Sequence, residues 1–106
     1  MVVEYIRYSL ADPARGEALQ IAYGAAARQL DAAPECLAYE LSQCEEDPKA
    51  WILRIEWRST AAHLQGFRKG PHFPAFFDAI RGFMPEINEM RHYRLTDVQS
   101  RKSELT

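Results

Sequence analysis

The order of periodic segments predicts an α+β fold of the ferredoxin-like kind, β-α-β-β-α-β, with a four-stranded antiparallel sheet and both helices packed on one face. Three observations carry that expectation. Four segments alternate with the period of a strand. An alanine-rich segment of helical period separates the first two, and an aromatic, Pro- and Gly-interrupted segment separates the last two. The two middle strands are joined by a turn short enough for a hairpin.

The first strand runs from Val2 to Leu10. Val2, Ile6, Tyr8 and Leu10 share one face with Glu4, and Val3, Tyr5, Arg7 and Ser9 share the other. Asp12-Pro13 is a helix start, with Asp as N-cap and Pro at the first helical position. From there to Leu30, the residues Leu19, Tyr23, Ala26 and Leu30 recur at helical spacing, and Ala18, Ile21, Ala22 and Ala25 widen the stripe. Asp31 to Pro34 is a break. The second strand is expected from Cys36 to Cys44, with Leu37, Tyr39 and Leu41 on one face. Glu45-Glu46-Asp47-Pro48 turns the chain into the third strand, where Trp51, Leu53, Ile55 and Trp57 alternate. Ser59 or Thr60 can cap the next helix. Gly66, Gly70, Pro71 and Pro74 interrupt it, so two short helices with a bend are expected, the second ended by Pro85. Ile87 to Leu95 is the fourth strand. Residues 1–95 thus read as one domain, and 96–106 as a polar C-terminal tail, mobile or laid on a partner.

Length and composition bound the rest. A chain of 106 residues buries only about 65% of its unfolded surface, so its core is modest. A net charge of −2 gives no electrostatic case for nucleic acid. No apolar run approaches the roughly 20 residues of a membrane span, and no leader pattern opens the chain. Cys36 and Cys44, eight residues apart on one expected strand, would be separated by roughly 26 Å, too far for a disulfide. Reduced thiols and a cytoplasmic home are the corresponding expectation.

One face of the central hairpin is almost wholly apolar and belongs under the helices. The opposite face carries Ala38, Glu40, Ser42, Ile52, Arg54 and Glu56, to which the outer strands are expected to add Val3, Tyr5, Arg7, Met90, His92 and Arg94. Such a mixture suits either a wet surface or a face that pairs across a two-fold axis, with Glu40 and Glu56 offset by Arg7, Arg54 or Arg94.

The chemistry-bearing residues are few. The chain has no glycine-rich phosphate loop, no G-x-S-x-G elbow and no metal-ligand spacing among His63, His72 and His92. All five phenylalanines lie between Phe67 and Phe83. With Trp57 and Ile80 they form either plain core or the wall of an apolar pocket, for which Trp57, Phe67, Phe73 and Phe77 are the candidate substrate-binding residues. His63, in the first turns of its helix, is favoured as a neutral imidazole. It suits either a proton acceptor or a hydrogen bond to a strand end. His72, between Pro71 and Phe73, is expected on a loop at the pocket mouth, as base, haem ligand or exposed residue. His92 is expected at an interface or surface. Arg81 is a candidate anion partner or part of a solvated helix face.

The join Trp57-Arg58-Ser59-Thr60-Ala61-Ala62-His63-Leu64 and the ending Glu89-Met90-Arg91-His92-Tyr93, in this order of elements, resemble the antibiotic biosynthesis monooxygenase (ABM) domain family over residues 2–95. The resemblance implies a dimeric α/β barrel made from two paired sheets. It also implies a monooxygenase that oxidises an aromatic phenol or quinol with O₂ and no bound cofactor, in which the substrate supplies the electrons and the protein supplies a dry pocket, a base and polar groups. His63 or His72 would then be the base and Arg81 the anion partner. The haem-degrading branch of the family uses an asparagine on the first strand with a tryptophan and a histidine in the second helical region. Here the only asparagine is Asn88, on the last strand, and both tryptophans lie on the third. Non-catalytic small-molecule or haem binding, and a structural dimerisation domain with a filled core, are the alternatives on the same barrel. A connected cavity under the phenylalanines separates the ligand-binding readings from the structural one.

Overall fold

The computed structural model describes residues 1–102. Four strands form one antiparallel sheet: β1 (Val2–Ser9), β2 (Cys36–Gln43), β3 (Ala50–Trp57) and β4 (Ile87–Arg94), in the spatial order β2-β3-β1-β4. Helices α1 (Gly16–Ala32) and α2 (Phe73–Ile80) cover one face. The alternation in β1 and β3 is the cause. Val2, Ile6 and Tyr8 pair with Trp57, Leu53 and Trp51, and all are nearly inaccessible on the helix side. Leu19, Tyr23, Ala26 and Leu30 of α1 close over them. Burying each large side chain contributes about 1.5–3 kcal/mol, so this layer dominates the stability.

The ends of the elements follow their local chemistry. Asp12 Oδ1 accepts from the Ala14 N–H at 2.8 Å and starts a short 3₁₀ turn over Pro13–Arg15 that leads into α1. α1 continues to Ala32, two residues past the expected end, until Pro34 forbids another turn. Ser59 rather than Thr60 caps the segment after β3, its Oγ accepting from the Ala62 N–H at 2.9 Å. That segment is two helices with a bend, as expected, but the first is π-helical over Ala62–Phe67. A 3₁₀ stretch over Arg81–Glu86 then carries Pro85 into β4.

Two expectations about faces need correction, and a bulge explains each. β2 shifts register between Cys36 and Ala38, so Leu37 is the extra residue and is 40% exposed, while Cys36, Tyr39 and Leu41 turn toward the core. β2 also ends at Gln43, leaving Cys44 just beyond it; both thiols are free. On β4 the register pairs Arg7 with Glu89 and Tyr8 with Ile87, making Asn88 the extra residue. Glu4 pairs with His92 and Ile6 with Met90, so Met90, His92 and Arg94 lie on the helix side, and Glu89, Arg91 and Tyr93 take the open face. On that face Arg54 meets Glu40 at 3.3 Å and Glu56 at 3.1 Å, and Arg7 meets Glu89 at 2.9 Å. The glutamates are thus offset within the chain. Residues Leu95 and Gln99 to Arg101 line a groove with Met1, Arg54 and Glu56. The remainder of the expected tail, 103–106, lies outside the described residues.

Candidate active site

The sheet's helix-side face does not close completely under α2. A cavity of about 110 Å³ remains between β1, β3, the π-helical turn, α2 and the start of β4. Its walls are apolar: Trp57, Phe67, Phe73, Phe76, Phe77 and Met90 are among them. Packing makes these walls rigid where they are deepest. Trp57 and Phe67 are 0% and 2% exposed, and Phe67 meets Phe73 and Phe76 edge to face at 5.8 and 5.3 Å.

One corner is polar. Glu4 and His63, only 1% and 3% exposed, line the cavity together with Arg68. Trp57 Nε1 donates to Glu4 Oε1 at 3.0 Å. His63 Nε2 lies 3.7 Å from the same oxygen, and its Nδ1 is 2.7 Å from His92 Nε2. The His63 ring stacks flat on Trp57, centroids 4.3 Å apart and planes 8° from parallel. Glu4 Oε2 is buried without a hydrogen-bond partner.

The π-helical turn explains how His63 and Arg68 reach one corner. The Arg68 N–H donates to the His63 carbonyl at 2.9 Å, the wide i→i+5 bond of a π turn. Widening the turn brings Arg68 round beside His63, where an α-helical period would carry it away. Gly70 permits the exit from this turn, because a Cβ there would stand 2.6 Å from the Gly66 carbonyl oxygen.

Burial sets the electrostatics. Desolvation raises the Glu4 carboxyl above its ordinary value, partly offset by the Trp57 hydrogen bond and the Arg68 charge. Desolvation, with Arg68 and His92 adding to it, draws His63 down to about 3. His92 is lowered for the same reasons, burial first and Arg68 second. Both histidines are therefore neutral at ordinary pH. Behind the cavity, the hydroxyls of Tyr8 and Tyr23 hydrogen-bond to each other, and burial pushes Tyr8 up to about 12.

Of the residues expected from the sequence, Trp57, Phe67, Phe73, Phe77 and His63 come together around this cavity. His72 does not. It ends the loop before α2 and lines a separate shallow groove with Glu35, Gly66 and Gly70. Arg81 is exposed and pairs with Asp78 at 3.3 Å. Arg68, not Arg81, lines the cavity. Glu4 and His92 were not foreseen as site residues. A carboxylate among Val2, Ile6 and Tyr8 is visible in the sequence as an exception to the pattern. His92, expected at an interface or surface, reaches the site through the bulge at Asn88.

Glu4, His63 and His92 each offer a ligand atom within 4.8 Å of the others. Two ligands on a tetrahedral ion with bonds of roughly 2.0–2.1 Å stand about 3.3 Å apart. The histidine nitrogens are closer than that, at 2.7 Å. With the Arg68 cation near enough to depress both imidazoles, the cluster fits a hydrogen-bonded network better than a metal centre. Among the described residues, no helix is long and apolar enough to cross a membrane.

Solved structures share this fold. A protein of Bordetella bronchiseptica described as a candidate antibiotic biosynthesis monooxygenase superposes with a TM-score of 0.71 at 17% identity, over 90% of this chain and 96% of that one. A second candidate antibiotic biosynthesis monooxygenase, from Chloroflexus aurantiacus, gives a TM-score of 0.64 at 24% identity over 96% and 98%. A variant of SnoaB, a cofactor-independent oxygenase from Streptomyces nogalater, gives 0.66 at 15% identity over 93% and 94%. At these identities the likeness is one of fold. A search of curated proteins finds no match. The profile of the family described as "Antibiotic biosynthesis monooxygenase" matches residues 1–79, which contain the whole polar corner except His92, and the chain belongs to that family.

Proposed function

We propose that this protein is a monooxygenase that oxidises a small aromatic phenol or quinol with O₂ in the cavity between sheet and helices, without a bound cofactor. The observation that carries this reading is a walled aromatic cavity ending in one buried acid–base corner. For a simple phenol the net reaction is phenol plus O₂ to quinone plus water. One oxygen atom enters the ring, the other leaves as water, and all four electrons come from the substrate. The aromatic walls exclude water, and the polar corner holds the hydroxyl whose ionisation makes the ring electron-rich. Arg68 is the cation available to an aryl oxyanion. A cavity of about 110 Å³ is on the scale of one ring rather than two, since a cavity of about 150 Å³ binds benzene.

The protein is further proposed to act as a homodimer through its open sheet face, in the cytoplasm. Four strands spaced about 4.8 Å apart and eight residues long give roughly 500 Å² of planar footprint per copy, near the lower bound for a specific interface. Free Cys36 and Cys44 are in keeping with a reducing compartment.

The test is oxygen uptake by metal-free protein against single-ring and fused-ring phenols and quinols. Saturable uptake above autoxidation, with quinone formed, is expected and should favour single rings. His63→Ala is expected to lower kcat. Absence of uptake by a folded sample on every substrate would overturn the oxygenase reading and leave small-molecule binding.

A further inference from the structure

The polar corner contains a group that the sequence did not offer as a catalyst, and its surroundings give it a specific task. Glu4 lies on β1, on the cavity floor, 1% exposed. Its two oxygens are not equivalent. Oε1 receives the Trp57 N–H and has His63 Nε2 3.7 Å away; Oε2 has no partner. A buried carboxylate oxygen left without a hydrogen bond is unfavourable, because the hydration it loses is not replaced. Such an orphan calls for an explanation, and in a residue that lines an apolar cavity a ligand donor is one that would satisfy it.

From this geometry we infer that Glu4 is the catalytic base and that its Oε2 accepts the hydroxyl proton of a single-ring phenol. The inference rests on the monooxygenase reading above for the reaction, but not for the binding mode. Proton balance makes a carboxyl sufficient. Glu4 takes the phenolic proton, and the ring anion reduces O₂ and forms a C–O bond to it. Glu4 returns a proton to the peroxide. Loss of the ring C–H proton then breaks the O–O bond, giving the carbonyl and water. No proton must leave the cavity, so no relay to solvent is required.

The neighbours act through Glu4. Trp57 from β3 fixes Oε1 and favours the carboxylate. His63 from the π-helical turn presents Nε2 to the same oxygen, held in orientation by its stack on Trp57 and its bond to His92 of β4. Arg68, from the end of the turn, lowers the carboxyl; the Tyr8 and Tyr23 hydroxyls from β1 and α1 are neutral. Trp57, His63 and His92 are therefore positioning residues. Desolvation, which moves the carboxyl upward toward the working pH, improves it as a base.

The experiment measures the affinity for un-ionised 4-nitrophenol, a chromogenic single-ring phenol, as a function of pH below its own pKa. Wild-type protein is expected to bind it more tightly as Glu4 ionises and Oε2 becomes an acceptor for the phenolic hydroxyl. Glu4→Gln, close in shape, is expected to show no such rise. Trp57→Phe removes the donor to Oε1, and is expected to move the midpoint of the rise to higher pH. In parallel, Glu4→Gln should lower kcat for the best oxidised substrate by about 10²–10⁴-fold. A pH-independent affinity in wild type, the same rise in Glu4→Gln, or no binding in wild type would overturn the assignment. Unimpaired oxygen uptake by Glu4→Gln would overturn it too, while leaving the oxygenase reading intact. A Glu4-dependent rise in affinity without oxygen uptake would uphold the binding mode and sink the oxygenase reading. Should Glu4→Gln fail to fold, an unmoved midpoint in Trp57→Phe decides against the assignment.

Discussion

Burial disfavours the charged form of two neighbouring side chains in this site, and their titrations pull stability in opposite directions. Folded His63 stays neutral down to about 3, whereas in the unfolded chain it returns to about 6.5. The unfolded state therefore binds the extra proton inside that window, and stability falls as pH drops through it. Folded Glu4 keeps a proton above 4.5 that the unfolded chain has given up, so its contribution is lost as pH rises from 4.5 into its raised range. Where the windows overlap, the two slopes oppose each other, so the wild-type profile is shallower than either contribution alone. Glu4→Gln unmasks the histidine slope, with an expected loss of roughly 1.4 kcal/mol for each unit of acidification below 6.5. His63→Leu unmasks the opposite trend. Urea unfolding at about pH 5 and about pH 7 reads both signs; a Glu4→Gln variant as shallow as wild type would show that His63 is not held neutral. Local pattern in the sequence is enough to place Trp57 and Phe67 on the buried side, where both line the cavity. It fails for His92, whose face depends on one extra residue at Asn88 that alternation cannot reveal.

At the scale of the element, the π-helical turn over Ala62–Phe67 is the device that assembles the polar corner. The interruptions at Gly66, Gly70, Pro71 and Pro74 made a bend legible, but an apolar pattern of so few residues does not distinguish an α from a π period. Nothing in that pattern marks Arg68 as the arginine that lines the cavity. Gly70 is the element's constraint. Gly70→Ala would force a methyl against the Gly66 carbonyl oxygen, at 2.6 Å. A cost of about 1–3 kcal/mol is expected, as for other forced overpacking. In a domain of this size each kcal/mol lowers Tm by about 4–8 °C. Calorimetry on the variant checks it, and an unchanged Tm would mean that the turn relaxes freely. Gly16 is under similar pressure, since a Cβ there would stand 2.8 Å from the Trp51 ring.

The whole molecule has one face without a cover. Four strands in the order β2-β3-β1-β4 were legible from alternation and turn chemistry, and so was the placement of both helices on one side. The open face was legible only in part. Arg54 offsets Glu40 and Glu56 within the chain, so these charges do not call for a partner. What remains for pairing is Tyr5 and Tyr93, packed edge to face at 5.4 Å, and Ile52 beside them in the sheet. If two copies join there, Ile52→Asp should convert a dimer to a monomer in sedimentation velocity while leaving the circular dichroism unchanged. A wild-type protein that sediments as a monomer at all concentrations would rule out the pairing.

The parallel stack of His63 on Trp57 has an optical consequence. A protonated imidazole quenches indole fluorescence far more than a neutral one, and here the two rings are in contact over their faces. Trp51, the other indole, donates to the Pro48 carbonyl and stands away from the site, so it supplies a steady background. The protein thus carries its own reporter of the charge state of its polar corner, readable by emission intensity without a label, a substrate or a turnover.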